Sequence, residues 1–99
     1  MNKICYNERV KTYTNAIVTY GMDRQTIKAV EEMSECTKEI CKILLGGGSL
    51  DHLAEEIADA TIMLEQLRLI FDNNDEVCRY MDEKIMRLDA KLKGGAYNE

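Results

Sequence analysis

Proline is absent from this chain, and its six glycines fall at only three places: Gly21, the run Gly46, Gly47 and Gly48, and the pair Gly94 and Gly95. Glycine and proline are the strongest local punctuators of structure, so so few breaks leave long uninterrupted segments. Within those segments apolar residues recur at spacings of three and four, and period-two alternation is missing, which specifies helices and no strands. The pattern predicts helices over about residues 6–20, 23–45, 50–71 and 75–93. Asp23 is placed to cap the second, Ser49 or Asp51 the third, and Asp72, Asn73, Asn74 and Asp75 form the turn before the fourth. The expected fold is all-α: a four-helix antiparallel bundle in a single domain over residues 1–99.

A chain of 99 residues, 45% hydrophobic and 31% charged, has room for one small core. Chains of this size commonly add disulfides, a metal or a second copy. Cys5, Cys36, Cys41 and Cys78 form no CxxC pair, and the opening "MNKICYNERV" has no apolar run of signal-peptide type, so the expected setting is the reducing cytoplasm. No apolar run is long enough for a membrane span; even "LEQLRLIF" is broken by Glu65 and Arg68. A net charge of -5 argues against a nucleic-acid polymer, whose phosphates require a basic surface.

The third helix carries Leu50, Leu53, Ile57, Ala60, Leu64, Leu67 and Phe71 in strict three-four alternation, a seam expected to form the bundle core. Ala58, Ile62 and Leu69 lie on a second arc. A helix apolar on more than one side is covered on more than one side, so a partner subunit over Ile62 and Leu69 is the expectation.

Acidic residues are concentrated on the middle two helices. "EEMSE" places Glu32 and Glu35 three residues apart, and "EEIAD" does the same for Glu56 and Asp59, so each pair projects from one helix side with Cβ atoms roughly 5 to 6 Å apart. The glycine run joins the two helices as a hairpin, with the two pairs at comparable depths from the turn. Around the second pair stand Ala60, Met63, Leu67 and Ile70, an apolar setting in which two negative charges are costly without a cation. Carboxylates alone, with no His or Cys within reach of both pairs, suit a hard ion, Mg²⁺ or Mn²⁺, rather than zinc. The competing reading of the first pair is a solvated face on which Lys28, Glu32, Glu35, Lys38, Glu39 and Lys42 exchange weak surface ion pairs.

The order EExxE, spacer, ExxD resembles the MazG-like, all-alpha nucleoside triphosphate pyrophosphohydrolases. "QTIKAVEEMSE" and "AEEIADATIMLEQL" are similar to that family's first and second motifs, including Gln25 and Ala29, and the resemblance spans about residues 20–92. It implies Mg²⁺ (or Mn²⁺) held by Glu32, Glu35, Glu56 and Asp59, and cleavage of a nucleotide between the α- and β-phosphates to a monophosphate and pyrophosphate. It further implies a dimer or pair of dimers with sites near the subunit contacts. Glu31 would orient or activate the water. Lys84 and Arg87 fall near the family's "K…R" segment, and Lys38 and Lys42 follow the first motif as candidate phosphate ligands. The family's frequent tryptophan is missing, leaving Tyr13 or Tyr20 to stack on a base.

Other motifs fail. "GGGS" lacks the Lys-Ser/Thr of a phosphate loop, "DNNDEV" lacks the sixth-position glycine of a calcium loop, and the lone His52 excludes a di-iron bundle and reads as a surface residue. Two functional expectations stand: a Mg²⁺-dependent nucleotide pyrophosphohydrolase, and a noncatalytic helical assembly or nucleotide-binding module.

Overall fold

The computed structural model describes residues 6–94, and among these it is entirely helical outside the turns. Helix α1 is Tyr6–Tyr20, α2 Met22–Leu44, α3 Leu50–Ile70 and α4 Asn74–Leu92. Each expected span differs from these by one residue at most at either end. Cys5 lies outside the described residues; Cys36, Cys41 and Cys78 are free thiols. None of the described helices is long and apolar enough to cross a membrane.

The first break is tighter than expected. Gly21, at φ +95°, donates its N–H to the Ile17 carbonyl at 2.8 Å and is at once the N-cap position of α2. Only glycine adopts that backbone without strain. Because α2 starts at the very next residue, Asp23 is not its cap: it sits inside the first turn, where its charge meets the positive end of the helix. Ser49 does cap α3, its hydroxyl accepting from the His52 N–H at 3.1 Å.

The centre of the fold is the α2–α3 hairpin. Gln25 stands opposite Gln66, joined by a buried 2.8 Å hydrogen bond from the Gln25 amide, and Glu39 stands opposite His52. These pairs fix an antiparallel register. The facing stripe of α2 is Gln25, Ala29, Glu32, Cys36, Glu39 and Ile43; that of α3 is Leu53, Glu56, Ala60, Met63, Leu67 and Ile70, all buried or half-buried. Both advance by alternating threes and fours, the spacing that keeps one side of a helix on its neighbour.

That stripe corrects the expected core. Of the seven-residue seam of α3, Leu53, Ala60 and Leu67 turn towards α2, whereas Leu50, Ile57, Leu64 and Phe71 are 74%, 49%, 47% and 60% exposed. The reason is rotational: a stripe that wide covers more of the helix than one neighbour can, and α2 takes the side carrying Glu56 and Met63. Helix α2 likewise exposes Ile27, Val30, Ile40 and Leu44, while burying Gln25, Ala29 and Glu39. Ile62 of the second arc is exposed, and Leu69 is half-buried.

Helix α1 packs on both α2 and α3, and α4 touches α3 alone. The α1 contact is anchored by Glu65, which accepts from Arg9 Nε at 3.0 Å, from Arg9 Nη2 at 3.2 Å and from the Tyr13 hydroxyl. Tyr13 is buried, and that burial, with the adjacent Glu65 carboxylate, pushes its phenol up to about 12. Burial alone would raise the Glu65 carboxyl too, but hydrogen bonds from Arg9 and Tyr13 outweigh it and hold the group below the usual carboxylate range. Helix α4 has no buried residue. The radius of gyration, 16.5 Å, exceeds the about 13 Å of a compact chain of 100 residues.

The raised Tyr13 phenol has a stability consequence of definite sign. Its contribution is fully present below the ordinary tyrosine value of 10.0 and is lost as pH rises through about 12. Thermal unfolding followed between pH 9 and 12 should show a declining melting temperature in the wild type and a flatter decline in Tyr13→Phe. A difference titration of tyrosinate absorbance between the two proteins should place the missing group near pH 12.

Candidate metal centre

Three carboxylates from two helices meet on the hairpin seam: one oxygen each of Glu32, Glu56 and Asp59 lie within 4.8 Å of one another. The antiparallel register that pairs Gln25 with Gln66 sets Glu32 across from Asp59, so the meeting follows from the backbone. Asp59 is exposed, Glu32 half-buried, and the Glu56 side chain only 12% exposed. Glu32 is approached by Lys28 Nζ at 3.4 Å, a contact along the surface of α2. Glu56 Oε1 faces His52 Nε2 at 3.4 Å. Glu56 Oε2 is buried and has no hydrogen-bond partner, alone in that respect among the buried side-chain polar atoms of the described residues.

A buried, unpartnered carboxylate oxygen costs on the order of 1–3 kcal/mol, more when the group is charged. Two other carboxylates nearby add repulsion. A divalent cation would relieve both, and an all-oxygen donor set of two glutamates and one aspartate suits Mg²⁺ or Mn²⁺. The residues present therefore fit such an ion.

Glu35, the fourth expected ligand, is not in this group. The register places it level with Glu56, but its side chain is exposed. At 3.6 residues per turn it lies roughly 60° round from Glu32, on the flank of the buried stripe rather than in it. Glu31 is exposed, one residue from Glu32 and so pointing well away from it. Tyr20 lines an open hollow of about 400 Å³ with Arg24, Gln25 and Lys28. A neighbouring hollow of about 300 Å³, sharing Gln25 and Lys28 with the first, is bounded by Glu32 and Asp59. Tyr20 thus borders the hollow next to the one that holds the acidic group. Lys38 is exposed on α2. Lys84 and Arg87 lie on α4, which contacts α3 but not α2, so the fold of one chain does not bring them to Glu32.

Two residues join the site that the sequence reading assigned elsewhere. Glu39, grouped there with the solvated face, is buried; His52 is exposed in the first turn of α3, as expected of a surface residue, but its ring also reaches between Glu39 and Glu56. The signal for both was spacing: Glu39 follows Glu32 by seven residues on the same side of α2, and His52 precedes Glu56 by one turn of α3. Comparison of the chain with protein-family profiles, with curated proteins and with solved structures finds no match.

If the triad is a repulsive arrangement awaiting a cation, Glu56→Gln should stabilise the protein in EDTA, by roughly 1 kcal/mol, the scale of one charge repulsion in a partly solvated site. The same variant should lose most of the rise in melting temperature that millimolar Mg²⁺ produces in the wild type. Equal Mg²⁺ responses in the two proteins would remove Glu56 from the site.

Proposed function

We propose that this chain is a divalent-ion-dependent nucleotide pyrophosphohydrolase of the MazG-like type. The observation that carries the reading is the convergence of Glu32, Glu56 and Asp59, drawn from the two separate acidic motifs, around a buried Glu56 oxygen with no partner. The resemblance of "QTIKAVEEMSE" and "AEEIADATIMLEQL" to that family's motifs supports it independently of the geometry.

In this reading Glu32, Glu56 and Asp59 would hold Mg²⁺ or Mn²⁺, with Glu35 joining by a change of side-chain rotamer. The ion supplies charge neutralisation on the phosphates and alignment of the attacking water. The chain's own contribution is placement. The groove bounded by Gln25, Lys28 and Asp59 receives the polyphosphate, with Lys28 and Arg24 at its rim. Tyr20 offers a ring to the base, whereas Glu31, which points well away from Glu32, has no place beside the water within one chain. Water oxygen bonds to the α-phosphorus as the bridge from that phosphorus to the β-phosphate breaks, giving a monophosphate and pyrophosphate.

Assembly is part of the proposal. Burying a large aliphatic side chain is worth roughly 1.5 to 3 kcal/mol, and this chain leaves Ile27, Val30, Ile57, Ile62 and Leu64 in water. A homodimer or homotetramer would close the bundle, cover these stripes and, through a neighbour's α4, bring Lys84 and Arg87, with Lys38 beside them, to a triad that one chain leaves out of reach. The free thiols Cys36, Cys41 and Cys78 are in keeping with a cytoplasmic setting. The same exposed stripes favour a second reading, a noncatalytic assembly module, in which the acidic group is residual.

Pyrophosphate release measured over the common ribo- and deoxyribonucleoside triphosphates, with Mg²⁺ and with Mn²⁺, separates these. Wild type should turn over at least one substrate, and Glu56→Ala and Asp59→Ala should each lower the rate by a hundredfold or more while retaining helical circular dichroism. No turnover of any substrate favours the assembly module. Light scattering should give at least twice the 11.3 kDa chain mass. Ile57→Glu with Leu64→Glu should reduce it to a monomer or unfold the chain; an unchanged particle mass moves the interface elsewhere.

A further inference from the structure

Glu39 is the most enclosed carboxylate of the hairpin, its side chain 4% exposed, yet it takes no place in the acidic triad. Its oxygens are occupied at the turn. Oε1 accepts from the Ser49 N–H at 3.3 Å, and Oε2 lies 3.8 Å from Lys42 Nζ and 3.7 Å from His52 Nε2. The turn is shaped to admit this carboxylate. Gly48 holds φ +73°, and a Cβ there would sit 2.9 Å from Glu39 Oε1, closer than real contacts allow.

His52 begins at the same place and ends elsewhere. Its backbone N–H caps α3 on Ser49, while its ring nitrogen Nε2 reaches Glu56 Oε1 at 3.4 Å, one turn further along. One imidazole nitrogen therefore stands between a carboxylate fixed to the turn and a carboxylate of the triad. Both separations are longer than a full hydrogen bond, and Nε2 carries at most one hydrogen to share between them. They are enough to bias the Glu56 carboxylate, which turns about its terminal bond with a broad, nearly twofold preference when nothing holds it. With Oε1 drawn to His52, the unpartnered oxygen is Oε2.

We infer that His52, anchored by Glu39, is a positioning residue for Glu56, fixing one of its oxygens and leaving the other to the ion. Residues behind metal ligands commonly act this way, and their loss typically lowers metal affinity or activity by about 10–100-fold. The inference rests on the metal-centre reading, and nothing in it requires His52 to touch substrate.

The test uses Mn²⁺ alone, bound to the full chain and followed by the loss of its free-ion paramagnetic resonance signal. His52→Ala should weaken Mn²⁺ binding tenfold or more, His52→Gln, which keeps an N–H donor, should recover most of that loss, and Glu39→Gln should weaken binding by a smaller factor. Binding within twofold of wild type in folded His52→Ala overturns the inference, as does failure of His52→Gln to rescue. A second measurement, on the metal-free protein, is a thermal double-mutant cycle between His52→Ala and Glu56→Gln. Non-additive shifts show that the two side chains act together; additive shifts sink the link. If wild type binds no Mn²⁺, the metal-centre reading falls, and the cycle alone decides whether His52 holds Glu56.

Discussion

Everything in this molecule depends on the close contact of α2 and α3 along a stripe that is half polar. Ala29 and Ala60 are small enough to let the helices approach, and both are buried. Close approach then encloses Gln25, Gln66, Glu39 and most of Glu56, and each enclosed polar group must find a partner or cost stability. The partners found are specific: amide to amide for the glutamines, backbone N–H and imidazole for Glu39. A slip of the hairpin by one turn would break these pairs together, whereas a purely apolar stripe tolerates such slips. Polar pairing therefore sets the register, and the register sets Glu32 across from Asp59.

The complement of a polar seam is an apolar exterior. Leu50, Ile57, Leu64 and Phe71 on α3, and Ile27, Val30, Ile40 and Leu44 on α2, are all turned out, and α4 is exposed along most of its length. Burying those side chains would remove far more apolar surface from water than Tyr13, Ala29, Ala60 and Met63, the buried apolar residues of the described chain, already do. The hydrophobic term dominates folding, so these exposed side chains are apolar surface that the fold of one chain leaves unused. The open shape and the lone α3–α4 contact express the same imbalance.

Helix existence and extent were legible in the sequence because glycine placement and three-four periodicity act locally. Which side of each helix faces inward was not. Leu50, Ile57 and Leu64 carry more apolar surface than Ala60 and Met63, and periodicity alone assigns the larger residues to the core. The choice was made instead by Gln25, Glu39 and Gln66, whose pairing across the hairpin no single-helix pattern contains. Of the acidic site, the meeting of the two motifs followed from their matched depths about the glycine turn. The displacement of Glu35 and the inclusion of His52 depended on rotations of tens of degrees, below what spacing resolves.

Glu39 and Glu56 form a natural comparison. Both are glutamates on the facing stripes of one hairpin, both are more than four-fifths enclosed, and both lie beside the same imidazole. At Glu39 the turn offers a backbone N–H and Gly48 makes room for the carboxylate, so its burial is compensated within the chain. At Glu56 nothing comparable is offered to Oε2, and the carboxylates of Glu32 and Asp59 stand close to the same side chain. Packing cannot account for the difference, since a leucine or glutamine at position 56 would fill the same space without the charge. An arrangement that is costly alone and relieved by a cation is the form a binding site takes when its stability has been given up for its ligand, and that cost is what supports reading the hairpin as the scaffold of a metal centre.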